Sequence, residues 1–119
     1  MKNNISIADA ELPIMKVLWE RGTLTSPEIF KDMDGNKSTL KTLLQRLVNK
    51  KAVSVDETSP RAYLYTAVLS EEEYISTQSK SFVDKVFNGN INKMLLNFIK
   101  EEKVTKEEIQ HLIDLAEED

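Results

Sequence analysis

In the stretch KSTLKTLLQRLVNKK, residues 37–51, basic and hydroxyl side chains recur with no carboxylate among them. Leu40, Leu43, Leu44, Leu47 and Val48 fall at i, i+3, i+4, i+7 and i+8, which is one apolar face of an α-helix. At about 100° per residue the opposite face holds Ser38, Lys41, Thr42, Gln45, Arg46 and Asn49. Lys and Arg suit phosphate or guanine, and Ser and Thr suit phosphate or a thymine methyl group. A carboxylate on that face would repel phosphate. The chemistry on offer is therefore nucleic-acid contact. The alternative is an ordinary solvated helix face, and spacing alone favours it.

No other constellation competes. The 119 residues include no Cys, which excludes disulfides, thiolate metal sites and Cys nucleophiles. His111 is the single His; Glu107 and Glu108 precede it on one helical side, but one imidazole with surface glutamates reads as a solvated face. There is no Gly-rich phosphate loop and no His-x-x-x-His pair, so neither an enzyme nor a bound cofactor or metal is expected.

Charge sharpens the contrast. The chain is acidic overall, with 16 Lys/Arg against 20 Asp/Glu. Residues 1–69 nevertheless carry ten basic and eight acidic side chains, and residues 70–119 carry six and twelve. Between 37 and 61 the count is six basic (Lys37, Lys41, Arg46, Lys50, Lys51, Arg61) to two acidic. That asymmetry predicts a basic binding surface beside an acidic module with a different task. No apolar run reaches the roughly 18 residues of a membrane span, and the N-terminal residues lack an apolar signal core. A cytoplasmic protein without membrane insertion is expected.

The elements that must position the basic helix are legible on both sides. A first helix is predicted over residues 9–21, with Asp9 or Ala8 as cap, Pro13 near its first turn and Gly22 as its stop. Thr23, Leu24 and Thr25 form a short extended piece. Ser26 as N-cap, Pro27 and Glu28 open a second helix to about residue 33. Asp34, Gly35 and Asn36 make a turn, with Asn36 able to cap the basic helix. Residues 53–55 and 62–68 are β-type runs around a turn, hence a hairpin. Helix, short strand, helix, helix and hairpin make a winged helix-turn-helix. The fold class is mainly α, with this unit over residues 1–69.

Residues 70–119 read as three further helices. Ser70 with Glu73 and Thr105 with Glu108 fit capping boxes, and Asn88, Gly89 and Asn90 break the pattern. Tyr74, Phe82, Val86 and Phe87 lie along one broad side of the first. Met94, Leu95 and Ile99 line the second, and Ile109, Leu112 and Ile113 the third. Three amphipathic helices in about 50 residues have too little interior to hide these side chains. Burial against a second copy is the simplest remedy, so the region is expected to form a C₂ dimer. These residues are divided between core and dimer contact in a proportion that spacing does not give.

Five segments in order carry a family resemblance. They are residues 10–19 (AELPIMKVLW), 39–47 (TLKTLLQRL), 61–65 (RAYLY), 81–87 (SFVDKVF) and 96–99 (LNFI). Together they resemble the penicillinase repressors, the BlaI/MecI/CopY group of winged-helix regulators and its BlaI/MecI branch above all. The resemblance implies a dimeric repressor that reads dyad-symmetric, double-stranded operator DNA and controls β-lactam-resistance genes. It also implies a membrane sensor-protease that cuts the repressor at an Asn-Phe bond; Asn97 and Phe98 stand at the matching place. The copper-responsive branch uses C-terminal cysteines, which this chain lacks.

With the wing and the resemblance added, the DNA reading of the polar face prevails. Ser38, Lys41 and Thr42 are expected in the major groove, with Asn36 and Lys37 at the helix start. Thr39, Arg46 and Arg61 are expected on the backbone or wing side. The chain departs from the family pattern at Asn36 to Thr39, where a Trp-Ser-Pro-Lys-Thr run is common, at Leu12, where Trp is common, and at Lys51, where Gly is usual. A Lys in that left-handed position is mildly strained. Two alternatives stay open: a winged helix that docks a protein, and a family repressor of an unrelated operon.

Overall fold

The computed structural model describes residues 5–117, which form six helices and two strands. The chain divides between Tyr74 and Ile75 into two compact units.

In the first unit α1 is Leu12–Arg21, α2 is Ser26–Phe30 and α3 is Lys37–Asn49. Strand β1, Val53–Asp56, pairs antiparallel with β2, Leu64–Ala67, in the register Val53 to Ala67 and Asp56 to Leu64. Leu24 adds a third rung by exchanging both backbone hydrogen bonds with Tyr65, at 3.0 and 2.7 Å. The wing is thereby tied to the connection between α1 and α2. Ile14, Met15 and Leu18 of α1, Ile29 and Phe30 of α2, and Leu40, Leu43, Leu44 and Leu47 of α3 share one core with Leu24, Val53 and Leu69. Burying each such side chain contributes roughly 1.5–3 kcal/mol. The apolar stripe of α3 therefore fixes which way its polar face looks.

Three helix boundaries differ from the sequence reading. The chain turns at Ala8, whose carbonyl accepts from the N–H groups of Glu11 and Leu12, but α1 proper begins at Leu12 and not at residue 9. Pro13 has no N–H to continue the ladder backwards. The cap of α2 is Thr25, not Ser26: its hydroxyl accepts from the Glu28 N–H while the Glu28 carboxylate accepts from the Thr25 N–H at 2.8 Å. Pro27 thus takes the second helical position. Finally α2 stops at Phe30, with only a turn, Met33 N–H to Phe30 carbonyl, beyond it. Gly22 ends α1 as expected, at φ 88 with its N–H on the Leu18 carbonyl.

Helix α4 is Glu71–Phe87 and starts with the Ser70/Glu73 capping box. Tyr74, grouped above with the dimer side chains, lies in the first unit. Its ring packs 5.4 Å from that of Trp19 against the winged core. The indole N–H of Trp19 donates to the Leu69 carbonyl at 2.8 Å.

The second unit contains the rest of α4, α5 (Ile91–Lys100) and α6 (Lys106–Ala116). Asn90 caps α5, and Thr105 with Glu108 closes a capping box on α6. Packing inside this unit is thin. Val83 is its one buried apolar side chain among the described residues. Phe82 meets Phe87 edge-on at 5.8 Å. Met94, Leu95, Phe98, Ile99 and Ile109 are half-buried, while Phe82, Val86, Leu112 and Ile113 are exposed, Leu112 to 58%.

Candidate nucleic-acid interface

The interface is built from the start of α3. Asn36 is extended, at φ −77 and ψ 134, and its side-chain oxygen accepts from the Ser38 and Thr39 N–H groups at 2.8 and 3.4 Å. Two donors that a helix leaves unpaired are satisfied in this way. Asn36 therefore acts first as a cap, and its amide nitrogen remains for other contacts. Lys37, Ser38, Thr39, Lys41, Thr42, Gln45, Arg46 and Asn49 are all exposed. Not one of them is acidic, and the four leucines of the same helix are all buried.

Local bonds sort these side chains. The Thr42 hydroxyl donates to the Ser38 carbonyl at 3.0 Å, which commits its proton and leaves the methyl group as the uncommitted part of the side chain. That is the group suited to a thymine methyl contact. Gln45 donates to the Asn49 side chain at 3.0 Å, one turn on. Ser38, Lys41 and Arg46 show no side-chain hydrogen bond or ion pair that would hold them back among the described residues.

Arg61 stands on the wing turn instead of α3. It is exposed, and its backbone N–H donates to the Ser59 hydroxyl at 3.3 Å. Asp56, at the base of that turn, accepts from the Thr58 hydroxyl and N–H at 2.7 and 2.9 Å, which holds its carboxyl below the usual carboxylate range. The turn presents Arg61, with Tyr63 exposed beside it.

Sequence reading missed the role of two residues. Glu11 is 1% exposed, and its carboxylate accepts from the Ala8 N–H and from the ammonium of Lys50. Lys50, counted above with the basic stretch, is thus engaged within the fold. The partners are 39 positions apart, a spacing with no local signature. Asn97 and Phe98 lie inside α5, Asn97 exposed and Phe98 half-buried. Their carbonyls accept from the N–H groups of Glu101 and Lys103. Among the described residues no cluster of His, Cys, Asp and Glu could hold a metal ion, and no helix is long and apolar enough to cross a membrane.

The profile of the penicillinase repressor family matches residues 7–118. The penicillinase repressor of Bacillus licheniformis is 34% identical over 122 residues, covering 99% of this chain and 94% of that protein. The solution structure of the DNA-binding domain of the repressor BlaI superposes with a TM-score of 0.53 at 32% identity, over 62% of this chain and 94% of that one. The monomeric form of Bacillus licheniformis BlaI, solved in complex with the blaP half-operator, gives 0.52 at 31%, with the same coverage. The winged helix-turn-helix and the match along nearly the whole chain agree: this chain belongs to the penicillinase repressor family.

Proposed function

We propose that the chain is a homodimeric transcriptional repressor that grips dyad-symmetric operator DNA through α3 and the wing. The observation that carries this is the exposed, carboxylate-free face of α3, set on a helix whose other face is locked into the core. Ser38, Lys41 and Thr42 enter the major groove, assisted by Asn36 and Lys37; Thr39, Arg46 and Arg61 hold the phosphate backbone. The relative solved on a half-operator supports DNA as the partner. Membership of a repressor family makes the protein a regulator and not an enzyme. Work on DNA places it in the cytoplasm.

The second unit serves dimerisation. Phe82, Val86, Leu112 and Ile113 are exposed in a single copy, and a partner's matching face would cover them. Two linked half-sites bind far more tightly than one. The regulated genes are of the β-lactam-resistance type, and relief comes from a membrane sensor-protease that cuts between Asn97 and Phe98. That bond lies in a hydrogen-bonded helix, so cleavage requires local unwinding of α5. The cut separates Phe98, Ile99 and α6 from the rest, and half-site avidity is lost. Asn97→Ala or Phe98→Ala proteins cut as fast as wild type would overturn this step.

Operator binding is tested by fluorescence anisotropy with the DNA upstream of the protein's own gene and with a scrambled copy, across a salt series. The expected result is preference for the upstream DNA at one dimer per dyad, with a slope of about −0.9 per phosphate contacted. Half-sites should lie about one helical turn, or a multiple, apart. Equal, weak binding to both DNAs would refute the operator reading and favour a protein-docking winged helix. Preference for the promoter of an unrelated operon would keep the repressor and change its target.

A further inference from the structure

We infer that Lys50 is a positioning residue for operator reading: its ion pair with buried Glu11 anchors the C-terminal end of α3 to the turn that opens α1, and it is not a phosphate contact. This rests on the operator reading above. A carboxylate removed from water persists only when paired and hydrogen-bonded. Glu11 meets that condition through the Ala8 N–H at 2.9 Å and the Lys50 ammonium at 2.5 Å. The same ammonium donates to the Ser6 carbonyl at 2.7 Å, and the Lys50 side chain is 33% exposed. Two of its three protons are therefore held by the fold, although its charge sits in the basic stretch.

The tie is placed where it controls the reading face. Lys50 is the C-cap of α3, with its N–H on the Arg46 carbonyl at 2.9 Å, so its backbone moves with the helix. A cation there also complements the helix dipole. On the other side Ser6 lies between Ile5 and Ile7, both packed on the winged core, and Glu11 precedes α1 directly. If α3 turned about its axis or slid along it, the ammonium would leave Glu11 buried and unpaired. Base reading demands side chains held within about 0.5 Å and 10–20°. A partly buried pair of this kind is weak as a source of stability, and its geometry suits it to fixing one arrangement.

The test uses the full chain and the two DNAs already named, with Glu11→Gln, Lys50→Met, Lys50→Arg and the double variant Glu11→Leu/Lys50→Met, each checked for fold by circular dichroism. A positioning role predicts that Glu11→Gln and Lys50→Met each lower the preference for upstream over scrambled DNA by roughly tenfold, the size of a misplaced base contact. The salt slope and the affinity for scrambled DNA should stay as in wild type, and Lys50→Arg should restore the preference. A phosphate contact predicts otherwise: Lys50→Met weakens both DNAs alike and flattens the slope by about 0.9, while Glu11→Gln binds as tightly as wild type or tighter. That pattern overturns the inference. Should a single variant misfold, the double variant removes both charges and leaves apolar groups that can pack; a folded double variant with full preference also overturns it. Hydrogen exchange in the DNA-free protein gives a separate readout. Amides of Val48, Asn49 and Lys50 should exchange faster in Glu11→Gln, and unchanged rates overturn the anchor. Wild-type protein without any DNA preference would defeat the operator reading instead, and the exchange rates would then decide the anchor alone.

Discussion

Replacing Lys51 by Gly should stabilise the winged unit. Lys51 has φ 70 and directly follows the C-cap of α3. Its N–H donates to the Val48 carbonyl and the Ala52 N–H to the Leu47 carbonyl, each at 3.0 Å. These two bonds define a Schellman ending, which requires a left-handed residue at this position. For a residue with a Cβ that conformation costs about 1–2 kcal/mol. Glycine removes the strain but loosens the unfolded chain, which takes back about 0.4–1 kcal/mol. The net gain is about 0.5–1 kcal/mol. In a unit of this size 1 kcal/mol moves Tm by roughly 4–8 °C, so the midpoint should rise by about 2–8 °C. The single Trp is the natural probe, because Trp19 is bonded to Leu69 and packed on Tyr74 within this unit. Lys51→Ala is the control: it removes the charge, keeps the Cβ, and should stay within about 0.5 kcal/mol of wild type. Equal midpoints for the Gly and Ala variants would refute the backbone argument, and equal rises in both would assign the effect to charge.

Other perturbations separate the remaining parts. Asn36→Ala removes the cap of α3 and should cost about 1 kcal/mol in urea unfolding, most of it regained in Asn36→Ser. Leu47→Ala, at a fully buried site, should cost about 2–5 kcal/mol in the same assay. Ile113→Asp places a charge on the exposed face of α6 and should turn the proposed dimer into monomer in sedimentation velocity, with Trp19 emission unchanged. Glu28 is held below the usual carboxylate range, first by the Thr25 N–H and then by the Thr25 hydroxyl, with Arg21 adding to it. Its folded value is depressed, so its contribution is present above the unfolded value and is lost as pH falls through the folded one. The difference in thermal midpoint between wild type and Glu28→Gln should therefore shrink as pH is lowered through that range.

Local patterns made much of the fold legible. The leucine stripe of α3, the Asn36 cap and the boxes at Ser70 and Thr105 each follow from residues within a few positions of one another, and the chain forms all of them. Errors arose where two local signals competed. Thr25 and Ser26 are both good caps, and Glu28 decided for Thr25 because it lies three residues beyond. Pro13 moved the start of α1 by denying an N–H. Tyr74 is no such error: spacing left it between core and dimer contact, and its ring lies against Trp19, far earlier in the chain, in the first unit. The Glu11–Lys50 pair was the least legible of all. Nothing near either residue marks it, and lysine in a basic run reads by default as solvent-facing.

The two sides of α3 have an evolutionary consequence. Stability resides in Leu40, Leu43, Leu44 and Leu47, while Ser38, Lys41 and Thr42, the side chains proposed for the major groove, lie outside the core. Exchanging outward side chains of this kind usually alters stability by less than about 0.5 kcal/mol. Under the proposed operator reading, DNA preference can therefore drift one residue at a time without passing through unfolded intermediates. A duplicated copy of this gene could acquire a new regulon through three or four substitutions on one face, while every internal contact of the winged unit is inherited intact.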